Sequence, residues 1–353
     1  MNEKFSKEHI PVFFHVSNEY APMCAVTMAS ILYNTRHYVD FYIIETGITD
    51  FNKKQIENMS EKFNNFSVEW ITFKYNDIFK KDYFLKIKKE NLQHPEWPGI
   101  HSFCTPFIPL LKQEINKAIY IDTDVIFLDD ITLLYNEDIS NYAMGVVPDI
   151  VCPLFVGKEQ KDLNKNIPYS EFGTYFCAGV LLINCEFFRN NNLINDYFKI
   201  TEEQIVPVCD QDVLNILLKN KCKMLDQKFD VIYQPNDEEL ALLKTDVKFD
   251  VFKKARKECV IRHFADAKPW AEPTSWCKEI YMHDKWYFFA ELTPFKDLIN
   301  KKNSHIKNAE NLLSLKKKKL QRKLLTTSIR YAFFHRKKDE EKIKRLKAQL
   351  EDM

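Results

Sequence analysis

Short apolar and β-branched runs alternate with stretches of helical spacing along the amino-terminal third of the chain. PVFFHV (11–16), DFYIIET (40–46) and VEWITF (68–73) read as strands. The stretch from Ala21 to Tyr33, apolar at Val26, Ala29, Ile31 and Leu32, and the stretch from Asp50 to Phe63 read as helices. This β-α-β-α-β order predicts an α/β fold with a largely parallel sheet covered by helices. A polar excursion over 80–100, holding His94, Pro95, Trp97, Pro98 and Gly99, precedes a further helix expected near 103–115.

The next segment, KAIYIDTDVIFLDD (117–130), predicts a buried strand that ends in Asp122-Thr123-Asp124 before apolar residues resume. In extended backbone positions i and i+2 share a face, so both carboxylates can point at one spot beyond the strand. Oxygen donors in that number suit Mg²⁺ or Mn²⁺. An isolated Asp-x-Asp is more often a solvated acidic turn, and position is what argues otherwise here. Ligands of open α/β sheets gather beyond the carboxyl ends of the strands.

Further along, YAMGVVPD (142–149) reads as a strand ending at Asp149, and YFCAGVLLIN (175–184) is too apolar for a surface strand. Its Cys177, Ala178 and Gly179 are small residues where another group can approach closely. A helix is expected from about Asp210, so Asp210-Gln211-Asp212 either begins a site or simply complements the helix dipole. VIRHF (260–264) reads as a strand leading into ADAKPW, which places His263 near a turn and Lys268 before Pro269.

Composition narrows the chemistry. Only 6 of the 353 residues are Gly, so no Gly-rich phosphate loop is available and phosphate must be held by metal and basic side chains. That argues against a nucleotidyltransferase or other enzyme built on such a loop. The 9 cysteines include no Cys-x-x-Cys pair and read as reduced core residues of a cytosolic protein. Neither a signal peptide nor an uncharged run long enough to span a bilayer is visible.

Charge is unevenly spread. From Lys316 onward there are 14 Lys and Arg against 5 Asp and Glu, leaving 37 and 45 for the residues before it. Between Lys316 and Lys338, 10 residues are basic and none acidic, with Leu320, Leu324, Leu325, Ile329, Tyr331, Phe333 and Phe334 interspersed. On a helix these make an imperfect apolar stripe with basic flanks, as expected of a segment lying on an anionic membrane surface. Base-reading side chains do not accompany the charges, so no nucleic-acid partner is expected.

In their order along the chain, the strand ending near Tyr20, SILYNT, KAIYIDTD, Asp149, FCAGVLLIN, DQDVLN and HFADAKPW resemble glycosyltransferase family 8, over roughly residues 11–270. The resemblance implies a GT-A fold, a single Rossmann-like domain with a mixed, mostly parallel sheet, that binds a UDP-sugar and transfers a hexose with retention. It implies that Asp122, Asp124 and His263 ligate Mn²⁺ or Mg²⁺, that Lys268 contacts the diphosphate, and that Asp210 and Gln211 lie at the transferred sugar. By the same resemblance Ser17, Tyr20 and Thr123 border the nucleotide, and Asp149, Cys177 and Ala178 the sugar.

The chain also departs from the family's pattern. Ser17 and Glu19 stand where an acidic residue and an Asn are usual, Thr105 where Arg is usual, and Cys177 where Asn is usual. HFADAKPW is one residue shorter than H-F-x-G-x-x-K-P-W and lacks its Gly. The expectation is therefore a metal-dependent retaining transferase of a bacterial surface glycan or lipopolysaccharide, acting on a glycan or lipid-linked acceptor. Residues 1–295 are expected to form its domain, and 296–353 a tail holding it to the cytoplasmic face of the inner membrane. The competing expectation is a catalytically impaired family member that binds a nucleotide-sugar as a membrane-associated scaffold.

Overall fold

The computed structural model describes residues 9–73, 100–149, 174–203, 209–232, 247–265, 268–271 and 282–300, with scattered positions between 321 and 347. Two compact units are present, Met1–Pro269 with Pro273–Lys296, and Trp270–Glu272 with Asp297–Met353. No helix among the described residues is long and apolar enough to cross a membrane.

The larger unit opens with β1 (His9–Ser17), α1 (Ala21–Asn34), β2 (Tyr38–Thr46), α2 (Asp50–Glu57) and β3 (Phe66–Thr72), the alternation the apolar pattern predicts. Then come β4 (Lys117–Ile121), β5 (Val125–Phe127), β6 (Met144–Pro148), β7 (Phe176–Asn184), α3 (Leu193–Glu203), α4 (Cys209–Leu217) and β8 (Cys222–Met224). The described part of this unit closes with α5 (Val247–Lys257), β9 (Ile261–His263) and α6 (His283–Ala290).

Seven strands form one sheet in the order β3-β2-β1-β4-β7-β6-β8, and β5 pairs with β9 in a second. Only the pairings of β7 with β4 and β6 are antiparallel, so β7 runs against the other described strands of the large sheet. The chain moves outward from β1 through β2 to β3 and then returns to β4 on the other side of β1, leaving a crevice at their carboxyl ends. Because β7 is reversed, it starts rather than ends at that crevice. Its residues from Phe176 to Ile183 are all buried, which is why they read as a continuous apolar run without alternation.

Two helices differ from expectation. The one starting at Asp50, capped by Thr49 accepting from the Asn52 N–H, stops at Glu57 and tightens into a 3₁₀ turn over Asn58–Glu61. The segment expected as a helix near 103–115 is a 3₁₀ stretch, Ile100–Phe107, followed by one short turn, Ile108–Leu111. Pro106 inside the first has no N–H to donate, and Pro109 can only open the second, so one long α-helix cannot form.

Helix α1 is buried along Ala21–Leu32, Thr27 and Ser30 included, and packs against β1, β5 and α6. In the tail, Gln321, Lys323, Leu324 and Ser328 are helical, whereas Leu320, Leu325, Ile329, Tyr331, Phe333 and Phe334 lie outside the described residues. The same holds for the excursion over 80–99 and for the insertion over 150–173.

Candidate active site

Strands β1 and β4 run in parallel with Phe13 opposite Tyr120, so Ser17 and the Asp122-Thr123-Asp124 turn leave the same end of the sheet. That turn is held from outside. The buried hydroxyl of Thr27 on α1 donates to the Val125 carbonyl at 2.7 Å, with the Thr123 carbonyl at 3.1 Å sharing the proton. Ser30 accepts from the Phe127 N–H at 2.9 Å, and Asn34 donates to the Phe127 carbonyl at 2.9 Å. One polar stripe on an otherwise apolar helix thus satisfies the backbone of β5 on the side that β9 does not pair.

The other edge of β5 brings in the histidine, since Val125 lies opposite His263 and the Phe264 N–H donates to the Asp124 carbonyl at 2.7 Å. His263 Nε2 lies 3.3 Å from Asp124 Oδ1 and 4.0 Å from Asp122 Oδ2. Ligand atoms of Asp122, Asp124 and His263 all fall within 4.8 Å of one another, a spacing that fits one divalent ion. Tyr120 donates to Asp122 Oδ1 at 3.0 Å, and Lys268 pairs with Asp124 Oδ2 while donating to the Phe264 carbonyl at 2.8 Å.

The charges shape one another. Burial alone would raise the Asp124 carboxyl, but Lys268 and His263 outweigh it and hold the group far below its ordinary range. Asp122 is pushed up, first by desolvation and then by the Asp124 charge, although 42 % of its side-chain surface remains open. Burial disfavours the charged forms of His263 and Lys268. For both, the Asp124 charge more than compensates, joined at His263 by Asp230, and their pKa values rise.

A side chain at position 179 cannot coexist with this cluster. A Cβ on Gly179 would lie 2.3 Å from His263 Cε1 and 2.9 Å from Asp122 Oδ2. Gly179→Ala is therefore expected to weaken Mn²⁺ binding by at least about tenfold, the scale seen when supports of a metal ligand are displaced. Titration calorimetry measures this directly, and an affinity equal to the parent's contradicts it.

At the start of β7 a second constellation forms. The Ala178 N–H donates to Gln211 Oε1 at 3.0 Å, and Gln211 Nε2 donates to Asp149 Oδ2 at 3.0 Å and to the Tyr175 hydroxyl at 3.1 Å. Tyr175 in turn donates to Asp212 at 2.7 Å, while Asn215 bonds both the N–H and the carbonyl of Phe176. The first turn of α4 is thus stitched to β7, and the orientation of the Gln211 amide is set by its partners. Burial raises the Tyr120 hydroxyl, and the charges of Asp122 and, more weakly, Asp210 add to it.

The remaining expected residues are arranged around these two groups. Cys177 Sγ lies 3.8 Å from His263 Nδ1. Ser17 donates to Glu19 at 3.1 Å, and Tyr20, with 42 % of its surface exposed, is close enough to Lys268 to favour its charged form. Thr105 is fully buried and its hydroxyl has no hydrogen-bond partner among the described residues. Of the loop between His263 and Lys268, positions 266 and 267 lie outside the described residues.

Sequence reasoning overlooked Thr27, Tyr175 and Asp230. Asp230 Oδ1 lies at hydrogen-bond distance, 3.0 Å, from His263 Nδ1, and the residue is completely buried. An acidic residue set among Phe229, Val231 and Ile232 is the signal that marks it, because buried carboxylates are rarely without a partner.

Known proteins carry the same chain pattern. A protein of Haemophilus influenzae is 27% identical over 240 residues, which make up 65% of this chain and 64% of that relative, so the chain spans less than two thirds of it. Lipopolysaccharide 1,2-glucosyltransferase of Escherichia coli K12 is 25% identical over 301 residues, 83% of this chain and 80% of the relative. The crystal structure of galactosyltransferase LgtC with donor and acceptor sugar analogs superposes with a TM-score of 0.60 at 20% identity, covering 81% of this chain and 96% of that one. That likeness establishes the fold, GT-A, with its mixed and mostly parallel sheet. The sequence profile of Glycosyl transferase family 8 runs from residue 11 to residue 274, through every strand that builds the crevice, and the chain belongs to that family.

Proposed function

We propose that the protein is a metal-dependent retaining glycosyltransferase that moves a hexose, glucose or galactose, from a UDP-sugar to a glycan or lipid-linked acceptor. The carrying observation is the convergence of Asp122, Asp124, His263 and Lys268 at the crevice beside Gln211. The relatives' names, one a lipopolysaccharide glucosyltransferase, support synthesis of a bacterial surface polysaccharide or lipopolysaccharide. The donor set of two carboxylates and one imidazole fits Mn²⁺, and Mg²⁺ less well, because Mg²⁺ prefers an all-oxygen shell. Asp122, Asp124 and His263 would hold such an ion, which when bound would supply positive charge against the leaving diphosphate.

The chain's own residues do the rest. Lys268 is the internal counter-ion of Asp124, and its ammonium can turn toward a diphosphate. Gln211 Oε1 spends one lone pair on the Ala178 N–H and keeps the other, which can face positive charge at the anomeric carbon. Asp149 and Tyr175 prevent the amide from flipping. Ser17 and Tyr20 border the nucleotide, and Cys177 and Ala178 the sugar. UDP release with Mn²⁺ and a panel of UDP-hexoses tests the proposal; no release above background with any donor would favour an impaired, nucleotide-sugar-binding scaffold, the reading toward which the buried Thr105 points.

The domain would comprise residues 1–295, and the basic segment 296–353 would hold it to the cytoplasmic face of a membrane bearing the acceptor. Each Lys or Arg near an anionic surface contributes about 1 kcal/mol, and the interspersed aromatic residues add to this. Deleting 316–353 is expected to abolish co-sedimentation with anionic liposomes and to leave UDP binding unchanged, and high salt is expected to weaken attachment of the whole chain. Equal sedimentation with and without the tail refutes the membrane role.

A further inference from the structure

We propose that Asp230 is a positioning residue for the metal site, accepting a hydrogen bond from the Nδ1–H of His263 so that the Nε2 lone pair points between Asp122 and Asp124. This rests on the metal-dependent reading of the site. An imidazole nitrogen cannot carry a proton and ligate a cation at once, so the partner of one nitrogen decides what the other can do. Here the two nitrogens face different groups. Nε2 looks toward the aspartate turn, and Nδ1 lies 3.0 Å from Asp230 Oδ1.

The backbone sets this pair. Asp230 ends the 3₁₀ turn Gln227–Phe229, where its N–H donates to the Gln227 carbonyl and its own carbonyl accepts from Gln227 Nε2 at 3.0 Å. Val231 then bridges Arg262, with the Val231 N–H on the Ile261 carbonyl and the His263 N–H on the Val231 carbonyl. The carboxylate and the ring are thereby brought together from adjacent extended segments.

Asp230 is 0 % exposed and its Oδ2 has no hydrogen-bond partner among the described residues. A carboxylate so enclosed is costly, and an amide would accept the same single bond at lower cost. What a carboxylate adds is negative charge behind the ring, which raises the basicity of Nε2 as a ligand.

The test titrates Mn²⁺ into the full chain in the presence of UDP. Asp230→Ala is expected to weaken Mn²⁺ binding about 10–100-fold, and Asp230→Asn, which keeps an acceptor oxygen but loses the charge, to recover only part of the loss. In ¹⁵N-histidine spectra of the parent with Mg²⁺ and UDP, Nδ1 is expected to carry a proton and Nε2 none. Should Asp230→Ala not fold, the near-isosteric Asn variant and the spectra decide the question. Parent-like Mn²⁺ affinity in folded Asp230→Ala overturns the proposal. So does an Nδ1 that has lost its proton, or one that responds to Zn²⁺ through Cys177, which would assign Cys177, Asp230 and His263 to a thiophilic cation. If Asp124→Ala binds Mn²⁺ as tightly as the parent, the metal site itself is wrong and this role falls with it.

Discussion

Asp124→Ala is expected to abolish metal-dependent UDP binding, with a loss greater than about 100-fold and so beyond the range typical of residues that only support a ligand. Asp124 is where the site's charges meet: Oδ1 faces His263 Nε2 at 3.3 Å and Oδ2 pairs with Lys268. Removing the carboxylate deletes one cation ligand and leaves the Lys268 ammonium at the site without its counter-ion. Both changes oppose entry of a dication. The side chain of Asp124 is 13 % exposed, so the variant also strands charge in a partly enclosed place, and some loss of stability is expected with it. Asp124→Asn keeps the shape and a ligand oxygen while removing the charge, and an intermediate loss there separates coordination from folding. Calorimetry with and without Mn²⁺, beside a thermal melt, reads both. UDP binding that stays as metal-dependent as in the parent removes Asp124 from the cation site.

The second large effect is expected on turnover. Gln211→Ala should lower kcat about 10²–10³-fold, the scale on which one preorganised group at a developing charge acts, while UDP affinity stays within about twofold. The separation follows from placement. Gln211 is held by Ala178, Asp149 and Tyr175 at the start of β7, and none of these three belongs to the aspartate turn. Truncation also releases three protein partners, so the melting temperature of the variant must be measured beside its kinetics. Gln211→Glu is the poorer probe, because it sets a second carboxylate against Asp149. Turnover equal to the parent's, with a cognate donor and acceptor, would reduce Gln211 to a tie between α4 and β7.

Much of this arrangement was legible before folding, and the reasons differ by residue. Strands declare themselves through apolar runs, so the ends of β4 and β9 could be located and Asp122 and Asp124 paired by their spacing, whereas only the family resemblance joined His263 to them. α1 could be read as a helix from its spacing, but the inward role of Thr27, Ser30 and Asn34 could not. Their partners are backbone groups of β5, and a hydrogen bond to a distant backbone leaves no period in the sequence. The prolines at 106 and 109 were in plain view, and the helix expected over 103–115 should have yielded to them. Asp230 escaped because it reaches His263 across 33 positions through a turn with no regular spacing.

The clasp between β5 and β9 also bears on how the chain reaches its native state. Lys268 and Asp124 meet across 144 positions of sequence, among the most distant pairings in the crevice. Closing so wide a loop is entropically unfavourable until much of the sheet exists to receive it, so the cation site completes late in folding. A ribosome must have released nearly the whole larger unit before Val125 can find His263. If the site holds a divalent ion as proposed, an ion that bound only the closed clasp would shift that final step toward the native form by mass action and would tie the lifetime of the folded chain to the metal supply around it.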